Sequence, residues 1–250
     1  MPADRFSVAD RVVIVTGATR GIGRAVAEGF LAAGARVALV GRSESILRQL
    51  DDDARGIAIR ADVSSAEDRQ RICLQTVEQL GNIDVLVNNA GITRSGEGEY
   101  LEEDWDATLD VNLKAPFFLS QLVAQGMRDQ QGGSIVNIGS IGARVGMPDN
   151  PAYQAAKGGL LQLTRAMARD WAGWKVRVNQ VNPGYIHTDM SAASYADPEK
   201  HRERADRTML GRWGTPDDLV GACLFLASAA SSYMTGTDIT VDGGWTAKGM

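Results

Sequence analysis

Cysteine is scarce in this chain of 250 residues, which contains only Cys73 and Cys223. Both lie within helical patterns, and their separation matches no spacing typical of metal ligands. We therefore expect both to be packing residues in a reducing compartment, and we predict no metal site.

Long hydrophobic runs are also missing, since no segment approaches the ~18 uninterrupted apolar residues of a membrane span. The first residues, from Met1 to Arg5, lack the basic and then apolar pattern of a signal peptide, so we expect a cytoplasmic protein. Basic residues are fewer than acidic ones, which gives a formal net charge of −5 and a pI near 5.1. This balance provides no footprint for nucleic acid or for an anionic membrane.

The chain does contain a regular alternation of short apolar runs and helical patterns. Continuous apolar runs such as Val12–Val15 are typical of strands that are buried on both faces of a parallel sheet. The length fits one large α/β domain over residues 1–250, and no linker divides it. The predicted strands are Val12–Val15, Ala35–Val40, Gly56–Ala61, Ile83–Val87, Ser134–Ile138, Val176–Val181 and Thr237–Val241. The predicted helices include Glu44–Asp53, Ser65 to about Leu80, Asp104–Met127, Pro151–Trp171 after an N-cap at Asn150, and Thr215 to about Ser228.

A glycine-rich segment follows the first strand and opens a helix. Gly17 permits the tight exit from the strand, Gly21 allows backbone to approach a phosphate, and Gly23 lets the helix pack close to the sheet. The free N–H groups at the start of that helix attract pyrophosphate. A glycine trio alone is weak, but its position after a first strand favours a dinucleotide site.

The end of the second strand indicates which dinucleotide is bound. An acidic residue there would hold the ribose 2′-hydroxyl of NAD, but this chain has Gly41 followed by Arg42. The Arg42 guanidinium suits a 2′-phosphate, and Arg20 in the glycine segment could reach the same group. NADP is therefore favoured, although NAD and two solvated arginines stay open.

Tyr153 and Lys157 lie one turn apart on one face of a predicted helix, close to the strand end that carries Ser140. A free phenol has a pKa near 10, and an adjacent ammonium would lower that pKa and make the phenol a usable acid or base. The Ser140 hydroxyl could hydrogen-bond a substrate oxygen whose charge changes during reaction.

Together these residues resemble the short-chain dehydrogenase/reductase family over essentially the whole chain. The motifs that carry the resemblance are Thr16–Gly23, Asp62, Asn88–Gly91, Asn112, Ser140, Tyr153 with Lys157, and Pro183–Thr188. The resemblance implies a single-domain Rossmann fold, a doubly wound parallel sheet of about seven strands with helices on both faces. It also implies hydride transfer between NADP(H), or NAD(H), and a secondary alcohol or ketone.

The resemblance further implies a role for each matching residue. Tyr153 would be the general acid and base, Ser140 would polarise the carbonyl, Lys157 would bind the nicotinamide ribose, and Asn112 would hold a water. Sequence alone also allows Asn112 a structural hydrogen bond. The residues expected to bind the cofactor are Gly17, Thr19, Arg20, Gly21, Ile22, Arg42, Ser43, Asp62, Val63, Asn89, Ala90, Gly91, Tyr153, Lys157, Pro183, Gly184, Ile186 and Thr188.

The substrate is less sharply indicated. Residues 189–212 are polar and helical only in pieces, which suits a lid. Arg94, Arg144 and His187 could bind a carboxylate or polyol hydroxyls, together with Ser140 and Tyr153. The C-terminal segment through Trp245 is similar to family members that oxidise sugars, polyols and sugar acids, such as gluconate-type dehydrogenases.

Other functions remain open at this stage. A ketoreductase for acyl-carrier-bound substrates should offer basic groups near its cleft, which the acidic balance mildly disfavours. A non-catalytic NADP-binding sensor would be expected to lack Ser140, Tyr153 or Lys157, and a scaffold would leave the glycine segment unexplained. The family resemblance also implies a homotetramer, and the apolar residues that fit such an interface are Phe117, Phe118, Leu160 and Leu163.

Overall fold

A computed structural model describes residues 4–43, 55–94, 96 and 98–248. Its centre is a seven-stranded sheet in the order β3-β2-β1-β4-β5-β6-β7, in which every neighbouring pair is parallel. The strands are β1 (Val12–Thr16), β2 (Arg36–Gly41), β3 (Gly56–Arg60), β4 (Val85–Asn88), β5 (Gly133–Ile138), β6 (Val176–Pro183) and β7 (Asp238–Val241). All seven predicted strands are present, with ends that shift by a few residues at most.

Helices cover both faces of this sheet. They are α1 (Gly21–Ala32), α2 (Ala66–Leu80), α3 (Glu102–Leu109), α4 (Ala115–Asp129), α5 (Pro151–Trp171), α6 (Ala192–Ala196), α7 (Pro198–Arg207) and α8 (Val220–Ala227). One core contains Phe30 of α1 and Leu226 of α8, and the other contains Leu119 of α4 and Met167 of α5. The doubly wound Rossmann prediction is therefore confirmed. The predicted helix Glu44–Asp53 lies outside the described residues.

The helical region predicted from Asp104 to about Met127 is present, but it is not one regular α-helix. A π-helical turn over Asp110–Lys114 separates α3 from α4 and carries Asn112. A π turn inserts one extra residue into the helical hydrogen-bond pattern, and such turns often occur at functional sites. Apolar periodicity does not reveal that insertion, because the residues on either side remain compatible with a helix.

The helix starts follow local rules at most of the predicted positions. Ser65 accepts a hydrogen bond from the Asp68 amide, and Thr215 forms a capping box with Asp218. Asn150 is the N-cap residue of α5, as predicted, and Pro151 lies in the first turn, but the Asn150 side chain makes no capping hydrogen bond and donates to the Thr93 hydroxyl instead. No helix in the part of the chain that the structure describes is long and apolar enough to cross a membrane.

The sheet order reverses between β1 and β4, because β2 and β3 extend to one side of β1 while β4 to β7 extend to the other. Open parallel sheets bind ligands in the crevice at such a switch point, beyond the carboxyl ends of the strands. The loops after β1, β4, β5 and β6 meet there, so the fold brings the predicted motifs to one edge.

Candidate active site

A cleft with a volume of about 630 Å³ opens at this edge of the sheet. Every residue predicted to bind the cofactor lines it except Ser43, which follows Arg42 but lies outside the lining. The residues so placed are Gly17, Thr19, Arg20, Gly21, Ile22, Arg42, Asp62, Val63, Asn89, Ala90, Gly91, Tyr153, Lys157, Pro183, Gly184, Ile186 and Thr188. Segments that are distant in sequence thus form one wall.

The glycine segment packs so closely against the end of β4 that a side chain at Gly17 or Gly23 would clash with it. Gly17 has a φ of 69°, and a Cβ there would lie 2.8 Å from Asn89 Nδ2 and 2.9 Å from Ala90 Cα. A Cβ on Gly23 would lie 2.2 Å from the same Asn89 atom. Helix α1 begins at Gly21, and its N-cap side chain makes no capping hydrogen bond. The first N–H groups of α1 therefore remain available to an anion, which fits the pyrophosphate of a dinucleotide.

Thr16, which belongs to the predicted glycine motif but received no role from the sequence, ties the ends of β1 and β4 together. Its hydroxyl accepts hydrogen bonds from the amides of Asn89 and Ala90, both at 3.0 Å, and its carbonyl accepts one from Asn89 Nδ2 at 2.9 Å. The signal for this role was its position at the end of a buried strand. The contact holds Asn89 against the glycine segment and so fixes the floor of the cleft.

The far end of the cleft carries the predicted adenosine-side residues. Arg42 is exposed there, and Arg20 forms an exposed ion pair with Asp189 at 3.4 Å. Asp62 accepts hydrogen bonds from the Ser64 amide and hydroxyl at 2.9 and 2.7 Å, so its carboxylate is held by its own turn. Arg42 is therefore the guanidinium that lies at the end of β2, whereas Arg20 lines the same cleft with its guanidinium turned to Asp189.

Lys157 is buried on α5, with 4% of its surface exposed. Its ammonium donates a hydrogen bond to the Ile138 carbonyl at 2.8 Å and lies 5.6 Å from the centre of the Tyr153 ring. Burial lowers the pKa of Lys157 to about 8, because the charged form loses its hydration. The lysine is thus fixed between β5 and the phenol.

Burial raises the pKa of Tyr153, and a hydrogen bond with Ser140 lowers it in part. From the sequence we expected the Lys157 ammonium to lower the pKa of Tyr153. That expectation is wrong, because the net effect of the protein on this pKa is upward. Loss of hydration destabilises the phenolate more than the neighbouring groups stabilise it. At neutral pH the tyrosine is therefore protonated and equipped to donate.

Ser140 lies two residues after the end of β5 and is held in place by a local hydrogen bond. Its Oγ accepts a hydrogen bond from the Gly142 amide at 3.0 Å, which caps the short 3₁₀ turn Ile141–Ala143. Because Oγ accepts from this amide, the Ser140 proton points elsewhere: it serves the hydrogen bond with Tyr153 and can be donated to a substrate oxygen that enters between the two side chains. Ser140, Tyr153 and Lys157 all line the same cleft.

Asn112 is completely buried and does not line the cleft. Its Oδ1 accepts from the Ile92 amide at 2.9 Å, and its Nδ2 donates to the Ile92 carbonyl at 2.7 Å. This pair of bonds holds the chain just after Gly91 against the π turn. Of the two options left open by the sequence, the side chain fulfils the structural one.

Arg94 and Arg144, two of the predicted substrate residues, do not line the cleft. Arg94 is paired with Asp104 at 2.5 Å. Arg144 binds both oxygens of Asp238 at 2.7 and 2.6 Å, and that carboxylate is almost fully buried. The substrate assignment of both is corrected, because carboxylates brought in by the fold already occupy their guanidinium groups.

His187 does not line the cleft either, so its substrate assignment is corrected too. Its ring stacks on Tyr195 with centroids 3.6 Å apart, which turns the imidazole toward the α6 segment. The partner lies in a polar stretch that gave no sequence signal for this contact.

Further residues line the cleft that were not assigned individually to a binding site from the sequence. They are Thr93, Met147, Asn150, Gln154, Tyr185, Met190, Ser194, Lys200 and Arg204. Gln154 exchanges hydrogen bonds with both backbone groups of Met147, and Asn150 Oδ1 is buried without a partner. Within the described ranges no group of His, Cys, Asp and Glu side chains could hold a metal ion.

Known proteins resemble the chain over almost its full length. A family model described as enoyl-(acyl carrier protein) reductase matches residues 17–246. A 2-dehydro-3-deoxy-D-gluconate 5-dehydrogenase from Dickeya dadantii is 36% identical, over 99% of this chain and 100% of that protein. A 3-oxoacyl-(acyl-carrier-protein) reductase from Thermotoga maritima is 42% identical, over 94% and 97%. A crystal structure of a gluconate 5-dehydrogenase from Burkholderia cenocepacia, in complex with NADP and tartrate, has a TM-score of 0.94 at 35% identity and covers 98% of this chain and 99% of that one.

Proposed function

Because the chain belongs to the short-chain dehydrogenase/reductase family of NAD(P)-dependent oxidoreductases, we propose that it oxidises a secondary alcohol of a sugar acid, with NADP as its cofactor. The observation that carries this proposal is the convergence of Ser140, Tyr153 and Lys157 on the cleft that the glycine segment opens. A non-catalytic sensor or a scaffold does not require a serine fixed by a hydrogen bond and a buried lysine next to a tyrosine.

The proposed proton chemistry uses groups of this chain. In the reductive direction Tyr153 donates its hydroxyl proton to the carbonyl oxygen, and in the oxidative direction it takes the proton back from the alcohol. The Ser140 hydroxyl hydrogen-bonds the same oxygen and stabilises its developing charge. Lys157, held by the Ile138 carbonyl, keeps an ammonium within 5.6 Å of the phenol ring and so favours the phenolate when it forms.

The cofactor supplies a hydride acceptor or donor when bound. The open amides at the start of α1 would hold its pyrophosphate, since the glycines leave that space free. Arg42 and Arg20 would bind a 2′-phosphate, which supports NADP over NAD. Asp62 and Val63 would flank adenine, and Ile186 and Thr188 would approach the carboxamide. The Burkholderia relative was solved with NADP, which supports the same choice.

The proposed substrate class rests on the relatives and on the cleft. Relatives named as sugar-acid dehydrogenases match the chain from end to end, and one was solved with tartrate, a small hydroxy acid. The cleft carries the polar groups of Thr93, Asn150 and Ser194, which suit a substrate with several hydroxyls. We further propose that residues 189–212, which contain α6 and α7, act as a lid.

We also propose a homotetramer built through α3, α4 and α5. Trp105 and Phe118 are 38% and 41% exposed on α3 and α4, which supports an interface there. Leu160, which the sequence reading placed in this interface, is instead fully buried within its own chain.

A turnover screen tests the proposed function. The protein is titrated with NADPH and NADH by fluorescence and then assayed with sugar acids, polyols and simple secondary alcohols. We expect tighter binding of NADPH and the fastest turnover with a sugar acid. Binding of the cofactor without oxidation of any compound in the screen would refute the proposal.

Reduction of a 3-oxoacyl thioester is the second candidate function, and the 42% identity with the Thermotoga reductase supports it. The same screen includes acetoacetyl thioester with NADPH. A higher kcat/KM for the thioester than for every sugar acid would favour this second function.

A further inference from the structure

Helix α7 places one arginine in the substrate half of the cleft. Arg204 lines the cleft beside Tyr185, Met190 and Ser194, and it is partly buried. The other arginines of α7, Arg202 and Arg207, do not line it. The helical repeat therefore turns a single guanidinium of α7 toward the cleft.

The Arg204 guanidinium packs against two aromatic rings. The Arg204 Cζ lies 4.6 Å from the centre of the Tyr185 ring and 5.7 Å from that of Trp213. Tyr185 in turn packs edge-on against Trp213 at 5.5 Å. Stacking on aromatic faces fixes the orientation of an arginine without using its N–H donors. No hydrogen bond among the described residues uses the five N–H donors of Arg204, so they stay available to a ligand in the cleft.

Arg204 makes no ion pair with any residue that the structure describes, which separates it from the other cations nearby. Arg20 is paired with Asp189, and Lys200 lies 3.9 Å from Asp197. Arg94 and Arg144 carry carboxylate partners of their own, as described above. Asp197 is near enough for the positive charge of Arg204 to help lower its pKa, but among the described residues no carboxylate forms an ion pair with Arg204. The guanidinium can therefore take an anion from solution as its hydrogen-bonded partner.

An anion that binds Arg204 would lie at a different place in the cleft from the phosphates of the cofactor. Arg42 follows β2 and Tyr185 follows β6, which lie four positions apart in the sheet, so the 2′-phosphate site proposed at Arg42 is separated from the wall that carries Arg204. Arg20 turns toward residues 189–212 and is already paired with Asp189. Arg204 belongs to the segment expected to close over the substrate, and it shares its wall with Tyr185 and Ser194. The group that meets it is therefore part of the substrate.

We propose that Arg204 is the specificity-determining residue that binds the carboxylate of the substrate. The planar guanidinium matches a carboxylate with two parallel N–H···O bonds, a geometry that a neutral hydroxymethyl group cannot reproduce. Arg204 thus selects an aldonic acid over the polyol of the same length. This inference rests on the proposed function and deepens it, since it names the group by which the substrate is recognised.

D-Gluconate and D-glucitol test this assignment, because they differ at C1 only in carboxylate against hydroxymethyl. Kinetics with NADP are measured on both compounds for the wild type and for Arg204→Met, Arg204→Lys and Arg202→Met. We expect the ratio of kcat/KM for gluconate to that for glucitol to fall about 10- to 100-fold in Arg204→Met, mainly through KM, since charged hydrogen bonds have this strength and the contact acts in ground and transition states alike. Arg204→Lys keeps the charge without the fork, so its ratio should lie between the two.

Arg202→Met is the matched control, because Arg202 is exposed on the same helix and does not line the cleft. We expect its gluconate-to-glucitol ratio to equal that of the wild type. An equal loss on both substrates in Arg204→Met, or an unchanged ratio, would overturn the assignment. A wild type that binds NADPH but oxidises neither compound nor any other alcohol would refute the proposed function instead, so the two failures can be told apart.

Discussion

Burial acts in opposite directions on Tyr153 and Lys157, the two titratable groups of α5 that line the cleft. The Tyr153 phenol is kept protonated because its anion is poorly hydrated, and the Lys157 ammonium gives up its proton more readily because its cation is poorly hydrated. The hydrogen bond from Lys157 to the Ile138 carbonyl holds the ammonium in place despite this penalty. The lowered pKa of Lys157 should therefore appear in the pH dependence of the free energy of unfolding.

Lys157→Met should change how stability depends on pH. The unfolded chain keeps the lysine proton up to its ordinary pKa of 10.5, whereas the folded chain keeps it only to about 8. The unfolded state therefore holds more protons between these values, so the wild type gains unfolding free energy as the pH rises through them. Methionine lacks this gain.

Urea unfolding of the wild type and Lys157→Met at pH 7 and pH 9.5 measures the effect. We expect the difference in unfolding free energy to move in favour of the wild type by ~2 kcal/mol between the two pH values. Lys114→Met alters an exposed lysine and serves as the control. A difference that stays the same at both pH values would show that Lys157 is not destabilised by burial.

Single residues were predictable from sequence where their partners were close in the chain. Tyr153 and Lys157 are one helical turn apart, so periodicity alone placed them together. Arg144 was misassigned because its partner Asp238 lies 94 residues away, and no local pattern reveals such a pair. Arg204 was missed for the same reason, since the aromatic rings behind it come from other segments.

At the scale of elements, the start of α1 depends on close contact between helix, strand and loop. Gly23 is buried in that helix, and a Cβ there would approach Asn89 Nδ2 to 2.2 Å and the Gly17 carbonyl oxygen to 2.3 Å. The second contact involves backbone, which cannot move without disturbing the glycine segment. Close packing of α1 is thus linked to the shape of the cofactor site.

Gly23→Ala should lower the free energy of unfolding by about 1–3 kcal/mol, as overpacking does, and should weaken NADPH binding. Gly126→Ala is a matched change within helix α4, where an added Cβ meets nothing within 4 Å. That control should raise stability by about 0.5–1 kcal/mol, because alanine favours the helix. Thermal unfolding and NADPH titration of both variants provide the measurements, and equal behaviour would contradict the packing account.

Elements were predictable to the extent that burial imposes a repeating pattern. Strands such as β1 are apolar throughout because both faces are covered, and that pattern gave their positions. The π turn at Asp110–Lys114 and the side-chain bond of Asn150 to Thr93 were not predictable. Each depends on a contact with a segment outside its own turn.

On the scale of the whole molecule, the parallel sheet gathers every chemical motif at one edge. The loop after β1 supplies the glycine segment, the end of β5 supplies Ser140, and the α7 segment supplies Arg204 from above. The order of motifs in the sequence was enough to predict the sheet and the cofactor half of the cleft. The substrate half was not predictable, because it depends on how residues 189–212 fold back over the crevice.

The proposed assembly is tested at the same scale. Light scattering on the purified protein should give the mass of four 26.7 kDa chains. Trp105→Asp places a charge on the exposed part of α3 and should shift the population toward smaller species, whereas Tyr233→Asp, on a fully exposed residue outside these helices, should not. A wild type that is monomeric at all concentrations would contradict the proposed tetramer.

The central claim is that Tyr153 exchanges a proton with the substrate oxygen while the glycine segment holds the cofactor. Its most direct test is Tyr153→Phe, measured by single-substrate kinetics on the best sugar acid and by NADPH titration of the same preparation. The account predicts that kcat falls on the order of 10²- to 10⁴-fold, as expected when a general acid and base is removed, while the NADPH affinity is preserved. Turnover at the wild-type rate in that variant would contradict it.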